Sequence, residues 1–140
     1  MSWKIYAVLS AVFASLVAIL GKIGIEGIPS NLAVAIRTVV VLVFAWMIAY
    51  LTVPLESVKT LTAKNWVFLI LSGLATGVSW LCYYKALQLG KASWVVPIDK
   101  MSVVLTVVLA FLILGEKAGL QVIIGGCLIV LGSLVMIWEW

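Results

Sequence analysis

The stretch NWVFLILSGLATGVSWLCYYKALQLGKASWVVPIDKMSVVLTVVLAFLIL, residues 65–114, is two apolar runs that turn on Gly90-Lys91-Ala92. A helix needs about 20 mostly apolar residues to cross the hydrocarbon core of a bilayer. Residues 65–87 and 93–114 each meet that length, and so do 3–25, 31–53 and 120–138. Gly27-Ile28-Pro29-Ser30-Asn31, the polar stretch Pro54–Lys64 and Gly115-Glu116-Lys117 separate them, each built from residues that break helices or favour turns. Trp3, Trp66, Trp94, Trp138 and Trp140 fall near segment ends, where amphipathic rings settle at the headgroup level. The expected fold is all-α, with five transmembrane helices in one domain over residues 1–140. The first run is too long for a signal-peptide core and no A-x-A site follows it, so it reads as a mature helix.

Composition agrees with a bilayer as the solvent. Of the 140 residues, 66% are hydrophobic and 10% charged. A soluble domain carries about half and about a quarter, and a small globule lacks the interior to bury such an excess. There is no histidine, no cluster of metal ligands, and no Ser-x-x-Lys or paired-aspartate signature, so neither an enzyme nor a cofactor is expected. Cys82 and Cys127 lie inside apolar runs and read as packing residues. The net charge of +4 comes from scattered Lys and Arg, which excludes a nucleic-acid footprint.

Five spans place the termini on opposite sides of the membrane. One side carries Lys4, Lys59, Lys64 and Lys117, the other Lys22, Lys85 and Lys91. Four against three is almost no positive-inside bias, which leaves insertion in both orientations and in a single one equally open. Lys22 and Glu26 read as an i, i+4 pair at a helix end.

Ionisable groups inside spans cost a few kcal/mol each and face a cavity or a partner. Arg37 and Asp99 each lie about 9 Å inside the start of their helices. With Lys85 and Lys100 they fall in one half of the membrane thickness, which points to a polar cavity there. Lys85 and Lys100 have a second reading, snorkelling to the headgroups. Asp99 has one too, as a structural ion pair with Arg37 or Lys85. Asp99 and Lys100 stand about 100° apart around a helix and should point to different places. Asp99, Ser102 and Thr106, at i, i+3 and i+7, should form a single polar stripe. Pro97, one turn into that helix, withholds a hydrogen bond from the Ser93 carbonyl and should kink the span. Gly73, Gly77, Trp80, Tyr84 and Gln88 share a face of the third span. The glycines there, and Gly125, Gly126 and Gly132 in the last, suit close helix packing within the chain or across a dimer.

The run from Gly77 through Tyr83-Tyr84-Lys85-Ala86-Leu87 to Ser93, then Val96-Pro97-Ile98-Asp99-Lys100 and the closing Leu114-Gly115-Glu116, resembles the EamA domain. That domain is the repeat unit of the drug/metabolite transporter superfamily, and the glycine-rich last helix fits it as well. The resemblance covers essentially the whole chain. It implies a secondary transporter of small molecules in a prokaryotic plasma membrane, working by alternating access. Most relatives carry two inverted repeats in ten helices, whereas this chain resembles a single repeat. Pairing with an oppositely inserted copy would restore the inverted symmetry, which the balanced lysines permit. Small multidrug resistance proteins, four-helix relatives, depend on a glutamate in the first helix. No acid lies between Lys4 and Gly21 here, so export of lipophilic cations by that device is disfavoured. With Arg37, Lys85 and Lys100 outnumbering Asp99, an anionic or zwitterionic solute is the better match, and Trp80, Tyr84, Ser102 and Thr106 would line its site. The rivals are a non-transporting subunit that needs a different partner chain, and a passive channel.

Overall fold

The computed structural model describes residues 2–117 and 119–138; the anchor expected at Trp140 lies outside them. The described chain is all helical, with five stretches long and apolar enough to span a membrane. In order they are α1 (Trp3–Gly24), α2 (Ser30–Thr52), α3 (Ala63–Leu89), the fourth span as α4 (Ala92–Lys100) and α5 (Ser102–Leu109) with a π-turn at Ala110–Leu114, and α6 (Leu120–Ile137). Nearly every large side chain of these helices is exposed, Leu20, Val43, Leu69 and Leu128 each above 60%. Such surfaces fit only an apolar solvent, and the protein is a multi-pass membrane protein.

Local chemistry accounts for the helix ends. Pro29 precedes α2, and its carbonyl accepts the N–H groups of Leu32 and Ala33 at 3.0 and 3.2 Å. α3 starts two residues before the expected Asn65 because Thr62 caps it: the Asn65 N–H reaches Thr62 Oγ1 at 3.3 Å, and that hydroxyl donates to Asn65 Oδ1 at 2.9 Å. Pro54 opens two turns of 3-10 helix, Leu55–Thr60, within the polar stretch. The π-turn stops at Gly115, whose φ of +67° is left-handed, and the Glu116 N–H closes back on Ala110 O at 3.2 Å.

The chain forms two compact units, residues 1–19 with 89–140, and residues 20–88. In the first unit, α4 and α5 both pack on α6. Gly126 meets Val104 Cγ2 there, where a Cβ would stand 3.6 Å away. Beside that contact a wholly apolar groove of about 420 Å³ runs between Val104, Val107, Gly126, Cys127 and Val130. In the second unit the buried centre is Ile25, Ser30, Val34, Tyr84 and Leu87.

The fourth span, Ala92–Leu114, is the expected single apolar helix of 23 residues with one tight step inside it. Met101 adopts ψ −18°, and its N–H bonds to Ile98 O, three residues back, at 3.0 Å. The carbonyl one residue earlier, that of Pro97, accepts instead from the buried Ser133 Oγ of α6 at 3.1 Å. A neighbouring helix thus supplies the donor for Pro97's own carbonyl.

Candidate functional site

In the second unit the site is built around Arg37 of α2. Its guanidinium carbon lies 4.1 Å from the centroid of the Trp80 ring and 5.5 Å from that of Tyr84. Trp80 and Tyr84 are one helical turn apart on α3, so both rings meet the same cation. Tyr84 is 4% exposed and its ring is also edge-on to Tyr83 at 6.0 Å. The position of Tyr84 depends on Gly21 of α1: a Cβ there would lie 2.9 Å from the phenol oxygen and 3.2 Å from Cζ.

Cation–π contacts are worth about 0.5–2 kcal/mol and act on the face of the guanidinium. Its N–H bonds lie in the plane and still need acceptors. Arg37 Nη1 is buried without a hydrogen-bond partner among the described residues. The spans of this unit contain no Asp or Glu, and its two acids, Glu26 and Glu56, sit in the connections. A half-buried cation that keeps a buried, unpaired in-plane donor is matched by the oxygens of a carboxylate or phosphate.

Beside this group, the carboxyl end of α3 is tied to the turn between α1 and α2. Lys22 Nζ donates to the Leu87 carbonyl, one of the last of the helix, where a cation complements the dipole. Gln88 Nε2 donates to Ile28 O at 2.9 Å, and Lys85 Nζ donates to Gln88 Oε1 at 3.3 Å. Lys22 therefore serves a partner 65 residues away, which the i, i+4 reading with Glu26 missed. Lys85 is exposed and points its amine along α3.

In the first unit, Lys100 Nζ lies 3.5 Å from Asp99 Oδ2, which corrects the expectation that the two diverge. The helix ends at Lys100, so its long side chain is free to fold back on its neighbour. A tight step at Met101 lies between Asp99 on α4 and Ser102 and Thr106 on α5. Thr106 Oγ1 donates to Ser102 O at 2.9 Å, its own helix backbone. A Cβ at Gly73, Gly77, Gly125 or Gly132 would meet nothing within 4 Å among the described residues. Of the five packing glycines, only Gly126 has a neighbour at that range among the described residues.

The Gly21–Tyr84 contact gives a direct test of how the site is held. Gly21→Ala should lower stability by about 1–3 kcal/mol, read as a lower melting temperature in detergent, because a buried ring cannot slide aside. Adding Tyr84→Phe removes the closest atom, and the double variant should recover part of the loss. Simple additivity of the two effects would show that the sites do not touch.

Two comparisons bear on this arrangement. Residues 1–138 match the model of the EamA-like transporter family. A protein of Sinorhizobium sp named "Uncharacterized transporter in cobO 3'region" is 43% identical over 135 residues, covering 96% of each chain. No solved structure matches.

Proposed function

The chain belongs to the EamA-like transporter family, and from that premise we propose that it is a secondary carrier of small anionic or zwitterionic metabolites. It works by alternating access as an antiparallel homodimer in the plasma membrane of a prokaryote. The observation that carries the choice of solute is the Arg37 guanidinium, stacked on Trp80 and Tyr84 with a buried donor unpaired. A substrate carboxylate or phosphate completes that donor set, and the two rings form the cavity wall. Lys85 adds positive charge beside them. Asp99, with Ser102 and Thr106, takes a substrate amine or a coupling proton.

The homodimer is supported by three features. One repeat gives half of an inverted pair, the loop lysines divide four to three, and the open glycines of α6 lie in the unit that carries an uncovered apolar groove. A second copy inserted the other way would supply the missing half.

Reconstituted vesicles loaded with a panel of amino acids and organic acids test the whole reading by counterflow. Saturable exchange of carboxylates, with amines lacking a carboxylate excluded, is expected. Flux that never saturates would mean a channel, and flux that needs a co-expressed different chain would mean a subunit. Single cysteines placed near each terminus, in a background lacking Cys82 and Cys127, should each label from both faces of intact cells. One-sided labelling rules out mixed insertion.

A further inference from the structure

The break after Lys100 leaves backbone groups that can pair in two ways. As the structure stands, the Met101 N–H uses the Ile98 carbonyl at 3.0 Å. An unbroken α-helix would send it to the Pro97 carbonyl, four residues back. That carbonyl is held instead by Ser133 Oγ at 3.1 Å, and Pro97 and Ser133 are both buried. The φ and ψ of Met101, −62° and −18°, are those of a tighter 3-10 step. Surrounded by apolar side chains and lipid, neither carbonyl can be left unpaired without a large cost.

We propose that these groups form a two-position latch on the fourth span, with Ser133 as its positioning residue. In the position described above, Ser133 holds the Pro97 carbonyl and the span is broken at Met101. In the other, the Met101 N–H takes the Pro97 carbonyl and the Ser102 N–H takes that of Ile98. The span then runs as one helix. The Ser133 hydroxyl turns to the carbonyl of Ile129, four residues back on α6, the usual acceptor for a helical serine. Both carbonyls, the Met101 N–H and the Ser133 hydroxyl are paired in both positions, so the exchange leaves no carbonyl orphaned in lipid. Bistability of this kind is what a conformational cycle in lipid requires.

The latch turns Asp99 relative to the residues beyond the step: a tight step brings residues three apart closer to eclipse, so Asp99 stays on the side of Ser102 in both positions while its angle to Thr106 changes. The latch stands on the first unit alone, whereas its place in a transport cycle rests on the function proposed above.

Solid-state NMR of the full chain in bilayers reads the latch through the backbone carbon shifts of Met101, alongside vesicle transport. Ser133→Ala removes the donor that stabilises the broken position and leaves the Pro97 carbonyl orphaned there. That should shift the populations about tenfold toward the continuous helix. Met101 signals move to α-helical values, signals elsewhere stay as controls for folding, and exchange slows about tenfold. Ser133→Thr keeps the hydroxyl and should keep both signals and rate, while Ser133→Cys, a weaker donor, falls between. Unmoved Met101 signals in Ser133→Ala would overturn the latch. Moved signals with a wild-type exchange rate would overturn its part in the cycle and leave the carrier intact. If the wild-type protein moves no solute while Met101 responds as expected, the latch stands and the carrier reading falls.

Discussion

Arg37→Met is expected to abolish carboxylate transport and, at the same time, to make the protein harder to melt. Two opposed quantities set these effects. Losing one partner of a buried, hydrogen-bonded charge pair costs about 2–5 kcal/mol of binding, so solute affinity should fall roughly 30- to 4,000-fold. In the empty protein the same arginine is a liability, because Nη1 is buried without an acceptor. Removing a buried donor that has no acceptor recovers about 1–3 kcal/mol, and more for a charged group. Against this stands the lost stacking on Trp80 and Tyr84, about 0.5–2 kcal/mol. The balance favours a higher melting temperature in detergent, and solute should raise the melting point of the wild type but not of the variant. A variant that transports normally and melts earlier would make Arg37 a structural residue.

The second large effect concerns orientation. Ser57→Lys with Lys91→Gln leaves five basic residues in the loops and terminus of one side and two on the other. Glu26→Lys with Lys59→Gln and Lys64→Gln biases the chain the opposite way, two against four. Each variant should insert in one orientation, since short-loop Lys and Arg content sets topology. Neither should transport alone, and expressing the two together should restore transport. All of these positions are exposed and outside the Arg37 group, so folding is not at stake. Full activity from either variant by itself would mean that an antiparallel pair is not the working form.

The five spans were legible because crossing lipid is a requirement on length and polarity that local sequence states directly. Their ends shifted by one or two residues wherever a cap decided the matter, as Thr62 did for α3. Arg37, Trp80 and Tyr84 were legible as site residues from depth and shared face, but not as a stack. Sequence spacing fixes a residue's height and azimuth on its own helix and says nothing of which helix it faces. The same limit hid Lys22, whose acceptor is at Leu87, and Ser133, whose acceptor is at Pro97. The Asp99–Lys100 pair escaped for another reason: azimuth describes where a Cβ points, and a lysine at a helix end is long and loose enough to ignore it.

The π-turn at Ala110–Leu114 holds one residue more than an α-turn spanning the same distance. Such a turn accommodates one extra residue without disturbing the helix on either side. Deleting Ile113, an exposed position, should let the turn wind to ordinary pitch while Gly115 still ends it. Shortening by one residue should therefore be tolerated better at this spot than anywhere else in the fourth span.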